Sequence, residues 1–126
     1  MKKILIVIAD YYEDISSTLL KSAKSNLNNF SIEVIRVPGV FEIPVTISKN
    51  IKKYDAFIAL GCVIKGETPH FDFISSASTQ AIMNLSVEFK KPIGNGIITC
   101  LNMKQAKARG KKGKEAAKAV ISVLSQ

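Results

Sequence analysis

The chain has 126 residues and a formal net charge of +8, and 47% of its residues are hydrophobic. This hydrophobic content excludes a disordered chain, and the length predicts one folded domain over residues 1–126. The apolar run that follows the first two lysines is too short for a signal peptide or a membrane span. Because Cys62 and Cys100 lack the spacing of metal ligands, we expect reduced thiols, no metal site and a cytoplasmic location without membrane contact.

Strand-like and helix-like segments alternate in the first half of the chain. Residues 4–9 form a continuous aliphatic run of the kind found in parallel strands that are covered on both faces. Apolar residues at helical spacing then predict a helix that Asp14 caps and Asn28 ends. A second strand is predicted for residues 32–37, and a short helix for residues 40–51.

The second half continues the alternation and then adds two helices. A third strand is predicted for residues 54–60, and a long helix begins at Phe71 and ends before Pro92. The residues that we expect on its buried face are Phe71, Ile74, Ser78, Ala81, Leu85 and Phe89. A fourth strand is predicted for residues 93–99.

Asn102 and Gln105 predict a capped start for a short helix that extends to Arg109. We expect Gly110 and Gly113 to separate this helix from the last one. With right-handed crossovers, the complete order predicts a three-layer α/β/α sandwich of the flavodoxin-like kind, with a four-stranded parallel sheet.

Four predicted loops gather at the carboxyl edge of this sheet, namely residues 9–13, 38–42, 61–70 and 95–102. The third loop contains Gly66, Thr68 and His70, and it leads into a helix whose first N–H groups can bind an anion. On its own, a single histidine at a helix start is more often a surface or capping residue, and Gly66 marks only a turn. The combination at one strand end nevertheless favours a site in which His70 exchanges protons near neutral pH.

Other three-layer proteins fit this chain poorly. A receiver domain needs an acceptor aspartate at the end of the third strand, where this chain has Gly61 and Cys62. A flavodoxin has a phosphate loop rich in Ser, Thr and Gly after its first strand, where residues 10–13 read Asp-Tyr-Tyr-Glu. The G-x-G-x-x-G fingerprint of dinucleotide-binding domains follows none of the strands.

Two long segments carry a clear resemblance to a known family. Residues 37–44 read VPGVFEIP, and residues 59–74 read ALGCVIKGETPHFDFI. Shorter matches follow in PIGNGIIT at residues 92–99, in Gln105 with Arg109, and at Lys112. Over nearly its whole length the chain resembles the lumazine synthases of riboflavin biosynthesis.

The resemblance implies an enzyme with two small-molecule substrates. The family condenses 5-amino-6-(D-ribitylamino)uracil with 3,4-dihydroxy-2-butanone 4-phosphate through an imine, loss of phosphate and ring closure. It uses neither a metal nor a redox cofactor, so we expect none here. Family members build their sites between neighbouring subunits of a pentameric ring, which implies a homo-oligomer.

The resemblance also assigns roles in binding the pyrimidine and its ribityl chain. Tyr11 matches an aromatic residue that stacks on the pyrimidine, although alone it would read as a loop aromatic that covers the sheet edge. Glu42 matches an acceptor for ribityl hydroxyls and would otherwise be an ordinary acid at a helix start. The remaining matches in this part of the site are Val40, Phe41, Cys62, Val63, Ile64 and Asn95, of which residues 62–64 would act through their backbone.

A second group matches the residues that handle phosphate and protons. Glu67 and Thr68 match the phosphate loop, where the backbone of Glu67 would bind and its carboxylate would turn away. Arg109 matches the arginine that grips phosphate, and alone it is one more solvated base in a basic tail. His70 matches the residue that transfers protons.

Three features depart from the family pattern. Asn95 replaces an aromatic residue that many relatives place over the substrate ring, and its amide could hydrogen-bond to the ring instead. The connection from Arg109 to Lys112 is short, which leaves the role of Lys112 open. The chain also starts at its first strand, without the extension of many capsid-forming members, which favours a pentamer over a capsid of sixty subunits.

The positive charge also suggests a nucleic-acid-binding module as an alternative. Such proteins usually interleave aromatic residues with bases on an exposed face. Residues 104–114 contain no aromatic residue. We therefore expect no nucleic-acid partner.

Overall fold

The structure is a computed structural model that describes residues 1–66 and 70–126. Four parallel strands form its sheet in the order β2-β1-β3-β4. Their bounds are Lys3–Ala9 for β1, Ser31–Val37 for β2, Ala56–Ile64 for β3 and Ile93–Cys100 for β4. The predicted four-stranded parallel sheet is confirmed, with β1 and β3 at its centre and β4 at one edge.

Helices cover both faces of the sheet. Their bounds are Glu13–Lys24 for α1, Ile43–Lys49 for α2, His70–Phe89 for α3, Met103–Ala108 for α4 and Lys112–Leu124 for α5, and a 3-10 turn at Val40–Glu42 precedes α2. One buried cluster lies between the sheet and the α1 and α5 side, and a second lies between the sheet and the α2 and α3 side. The predicted three-layer α/β/α sandwich is therefore confirmed.

The alternation of side chains along β1 divides the core into these two clusters. Ile4, Ile6 and Ile8 pack toward α1 and α5, and Leu5 and Val7 pack toward α2 and α3. All five are fully buried. A strand that is covered on both faces must be apolar at every position, which explains the unbroken aliphatic run in the sequence.

Strand β3 is longer at its carboxyl end than the sequence predicts. It continues past Leu60 to Ile64, because β4 pairs with it as far as Ile64 and Cys100. Strand β1 pairs with β3 only as far as Leu60. Residues 61–64 therefore extend beyond β1 and have a strand on one side only.

The predicted loop at residues 95–102 is wrong for most of its length. Asn95 lies inside β4, in register with Ala59, and the strand ends at Cys100. The flanking glycines do not break the strand. Their lack of a side chain lets helix α5 approach the strand closely. A Cβ atom on Gly94 would lie 2.4 Å from the carbonyl oxygen of Ala116.

Helix α1 differs from its prediction at both ends. Its N-cap residue is Tyr12, which makes no side-chain cap, so the predicted capping by Asp14 is wrong. The helical pattern starts earlier because the Ser16 amide already donates to the Tyr12 carbonyl at 2.9 Å. The helix ends at Lys24, and Leu27 is buried in the turn that follows.

Gly113 does not separate two helices, as predicted, but lies in the first turn of α5. A Cβ atom at this position would lie 2.1 Å from the carbonyl oxygen of Leu19 in α1. Glycine therefore permits backbone contact between the two helices on this face of the sheet.

Helix α3 is buried less than its predicted face implies. Ser78 is buried and Ile74, Ala81 and Leu85 are half-buried, but Phe89 is exposed. The prediction missed Ile82, which is 4% exposed. Large apolar side chains also face solvent on this helix, namely Phe73, Met83 and Val87. Within residues 1–66 and 70–126, the helices are all too short or too polar to span a membrane.

Candidate functional site

A cavity of about 540 Å³ lies at the carboxyl ends of β1 and β3. It brings together eight of the predicted site residues, from the first three strand ends and the start of α3. These are Tyr11, Val40, Phe41, Glu42, Cys62, Val63, Ile64 and His70, and the cavity is also lined by Tyr12, Gly39 and Ile74. We call it the first cavity.

The 3-10 turn forms one wall of the first cavity. It packs closely on β3 because Gly61 has no side chain, and a Cβ atom there would lie 2.8 Å from Cγ2 of Val40. Val40 is consequently buried, whereas the next residue, Phe41, is 67% exposed. The Glu42 carboxylate lies beside Gly39, where a Cβ atom would be 3.2 Å from Oε1. The turn thus presents an aromatic ring and a carboxylate at the cavity.

Two adjacent tyrosines form another part of the wall. Tyr11 is 75% exposed, and its ring meets that of Tyr12 edge-on with the centroids 4.9 Å apart. Burial, together with the neighbouring Tyr11, raises the pKa of Tyr12 above its usual value. Tyr12 was not among the predicted site residues. Its position directly after Tyr11, in the loop that follows β1, is the sequence signal that could have identified it as a cavity residue.

His70 lies at the mouth of the first cavity as the first residue of α3. Its side chain is exposed, so substrates and solvent can reach it. Glu67 and Thr68, the predicted phosphate-loop residues, lie outside the described residues.

Asn95 and Arg109 do not line the first cavity. They line a second cavity of about 550 Å³ beside β4, together with Thr99, Lys111, Lys112 and Glu115. Oδ1 of Asn95 accepts a hydrogen bond from the Ile97 amide at 3.0 Å, so this oxygen is already engaged within the strand. Lys112, whose role the sequence left open, lies 4.0 Å from the Glu115 carboxylate. Three bases against one acid make the second cavity suited to an anion.

Short-range hydrogen bonds fix the position of Arg109. The Oδ1 atom of Asn102 accepts from the Gln105 amide at 2.9 Å, and Oε1 of Gln105 accepts from the Leu101 amide at 2.8 Å. These bonds start α4 directly after β4, and the predicted capped start is confirmed. Arg109 ends the helix, and its Nη1 atom donates to the Thr99 carbonyl at 3.0 Å.

Cys62 lies in the floor of the first cavity and is 5% exposed. Burial, together with the neighbouring thiol of Cys100, raises the pKa of Cys62 from 9.0 to about 12. Both cysteines are free thiols. Cys62 therefore stays protonated at physiological pH and is a poor nucleophile.

The raised pKa of Cys62 predicts a pH dependence of stability. The unfolded thiol ionises above pH 9 whereas the folded thiol stays neutral up to about pH 12, so the stability that this group contributes is lost as the pH rises between these values. Urea unfolding measured from pH 8 to pH 11 should show a steeper decline for the unchanged protein than for Cys62→Ala. Other groups that titrate at alkaline pH, such as Tyr12, are present in both proteins, so the comparison isolates the Cys62 thiol. Parallel profiles would contradict the assignment.

Comparisons with known proteins agree over nearly the whole chain. A family model described as 6,7-dimethyl-8-ribityllumazine synthase matches residues 1–126. The 6,7-dimethyl-8-ribityllumazine synthase 1 of Rhodopseudomonas palustris is 44% identical over 97% of this chain and 83% of its own length. A synthase of the same name from Bartonella tribocorum is 44% identical over 97% of this chain and 87% of its own length. The 6,7-dimethyl-8-ribityllumazine synthase of Nitrobacter hamburgensis is 42% identical over 95% of this chain and 82% of its own length. The chain therefore belongs to the 6,7-dimethyl-8-ribityllumazine synthase family.

Proposed function

We propose that this chain catalyses the reaction for which its family is named. In that reaction 5-amino-6-(D-ribitylamino)uracil condenses with 3,4-dihydroxy-2-butanone 4-phosphate to give 6,7-dimethyl-8-ribityllumazine in the cytoplasm. The observation that carries the proposal is the first cavity, which gathers Tyr11, Glu42 and His70 at one edge of the sheet in a chain of this family. An aromatic face, a carboxylate and a proton-transfer group are the elements that such a condensation needs.

The end of β3 supplies backbone groups for the pyrimidine. Because β1 pairs with β3 only up to Leu60, the sheet does not use the N–H and C=O groups of residues 62–64 that point toward the β1 side. These groups can pair with the polar edge of the pyrimidine, while Tyr11 covers its face. Glu42 then accepts hydrogen bonds from the ribityl hydroxyls.

His70 transfers the protons of the reaction. Imine formation, phosphate loss and ring closure each need a proton to be added or removed, and an imidazole side chain can both donate and accept protons near neutral pH. Its exposed position at the mouth of the first cavity suits contact with the incoming ketone.

Arg109 binds the phosphate of the second substrate from a neighbouring subunit. Within one chain, Arg109 and His70 line different cavities. In a ring of identical subunits, the second cavity of one subunit can face the first cavity of the next. This head-to-tail arrangement supplies the positive charge that the first cavity needs for a phosphorylated ligand, and we propose that the ring is a pentamer.

Exposed apolar side chains support assembly into a homo-oligomer. Phe41, Val45 and Phe73 are each more than half exposed, as are Met83 and Val87. A further cavity of about 390 Å³ between α2 and α3 is lined mostly by apolar and small residues, which include Val45, Ala77 and Ala81. Phe41 and Val45 both line this cavity, and an exposed apolar patch of this kind usually marks a protein interface.

A direct assay tests the proposed activity. Purified protein is mixed with the two substrates, and the absorbance of the lumazine product is followed over time. The proposal predicts a rate that is proportional to protein concentration and well above the uncatalysed background. A rate that equals the background at every protein concentration would contradict it.

Light scattering tests the proposed assembly. The pentamer predicts a particle of about five times the 13.8 kDa chain mass. A monomer would contradict the shared site, whereas a much larger particle would contradict only the pentameric number. Activity should fall on dilution together with the measured mass.

Replacement of Arg109 by Ala should raise the KM for the phosphorylated ketone. The guanidinium contributes charge-assisted hydrogen bonds to the phosphate, and loss of such a contact raises KM about 10- to 100-fold while kcat changes little. Steady-state kinetics with the ketone varied at saturating pyrimidine measure this effect. Lys107→Ala is the matched control, because Lys107 is an exposed base on the same short helix. A fall in kcat at unchanged KM would refute the assignment.

A further inference from the structure

The Arg109 residue is exposed, but its guanidinium turns back onto the end of β4. Its Nη1 atom donates to the Thr99 carbonyl at 3.0 Å and lies 3.8 Å from Sγ of Cys100. These two acceptors belong to the last two residues of β4. The guanidinium is therefore attached to the strand at two points.

The first attachment point, the Thr99 carbonyl, is available because β4 lies at the edge of the sheet. The carbonyl of Cys100 accepts from the Lys65 amide at 2.9 Å and so points toward the β3 side. Successive carbonyls along a strand point in opposite directions, so the Thr99 carbonyl points to the open side of the sheet. Arg109 satisfies this carbonyl, which β3 cannot reach.

The second attachment point is a sulfur atom that is inaccessible to water. Cys100 is 1% exposed and packs in the cluster beneath α1 and α5. Its thiol also interacts with that of Cys62 in the floor of the first cavity. A thiol is a weak acceptor, but at this depth few water molecules compete with the Arg109 N–H group.

We propose that Cys100 is a positioning residue for anion binding in the second cavity. It acts by holding the Arg109 guanidinium in a fixed orientation over the end of β4. This proposal rests on the proposed function, because it assumes that Arg109 binds phosphate. A guanidinium has five N–H donors in a rigid fork, so fixing Nη1 also fixes the directions of the remaining donors. Those donors are then oriented before the ligand arrives, which reduces the entropy lost on binding.

Kinetics of Cys100→Val and Cys100→Ser test the proposal. Valine is close to cysteine in size but removes the acceptor, so the KM for the phosphorylated ketone should rise on the order of threefold to tenfold, as expected for loss of one hydrogen bond. The kcat and the KM for the pyrimidine should stay nearly unchanged. Serine restores an acceptor and should give a smaller rise in KM.

Two controls separate positioning from a general loss of stability. Leu27→Ala removes a side chain from the same buried cluster, so it should lower stability without raising the KM for the ketone. In an Arg109→Ala background, Cys100→Val should raise this KM no further, because the group that it positions is gone. An unchanged KM in Cys100→Val, or an equal rise in the Arg109→Ala background, would overturn the proposal.

A second readout needs no turnover. If Arg109 covers the sulfur, Arg109→Ala should increase the rate at which iodoacetamide labels Cys100, as measured by mass spectrometry of the peptide that contains it. Lys107→Ala should leave this rate unchanged. If the unchanged protein had no synthase activity, the proposed function would fail while the labelling would still report on the contact. Equal labelling in all three proteins would refute the contact itself.

Discussion

Replacement of His70 by Ala should lower kcat by about 10² to 10⁴, which is the usual contribution of a general acid–base group. The pyrimidine should still bind with nearly unchanged affinity, because the contacts proposed for it come from Tyr11, Glu42 and the end of β3. Residual turnover should persist, since the condensation proceeds slowly without a catalyst. Stopped-flow measurement of product formation and calorimetric titration of the pyrimidine separate the two effects.

The control for this prediction is Asp72→Asn. Asp72 is an exposed residue in the first turn of α3, so the substitution changes the charge near the helix start but not the proton-transfer group. It should keep a rate close to that of the unchanged enzyme. If His70→Ala also keeps that rate, His70 has no part in the mechanism.

Replacement of Gly113 by Ala should have the largest effect on stability. The added Cβ atom would lie 2.1 Å from the Leu19 carbonyl oxygen and 3.1 Å from the Ala23 amide nitrogen, both of which are backbone atoms of α1. The two helices must move apart, and overpacking of this severity costs about 3 kcal/mol, the upper end of the usual range. The better helix propensity of alanine offsets about 1 kcal/mol of this cost. We expect a net loss of about 2 kcal/mol in the free energy of unfolding, measured in urea.

Gly66→Ala is the matched control for Gly113→Ala. Among the described residues, no atom lies within 4 Å of a Cβ atom placed on Gly66. Its effect on the free energy of unfolding should stay within about 0.5 kcal/mol. If Gly113→Ala were as stable as this control, the helices α1 and α5 could not be in backbone contact.

The layers of the fold could be predicted because hydrophobic patterning decides them. The aliphatic run at the start of the chain required a strand covered on both sides, and β1 has that environment. The bounds of elements were harder, since they depend on partners that are distant in sequence. Strand β3 continues to Ile64 because β4 pairs with it that far. Gly113 fits inside α5 because the backbone of α1 lies against it and leaves no room for a side chain.

The candidate site could also be predicted only in part. The motifs predicted that Tyr11, Glu42 and His70 belong together, and all three line the first cavity. The separation of Arg109 into a second cavity could be anticipated only from the resemblance to ring-forming enzymes. The contact between Arg109 and Cys100 could not be read from the sequence, because it depends on how a short helix folds back onto the strand before it.

In the proposed ring, the first cavity of one subunit and the second cavity of its neighbour are halves of one active site. Mixing His70→Ala and Arg109→Ala proteins tests it most directly, provided that the subunits are dissociated and reassembled together and assayed at a ketone concentration below the raised KM. In a randomly mixed ring, about a quarter of the interfaces combine an intact His70 with an intact Arg109. A shared site predicts that activity recovers toward about a quarter of the unchanged enzyme's rate, far above either variant alone. Activity of the mixture no higher than the average of the two separate variants would contradict it.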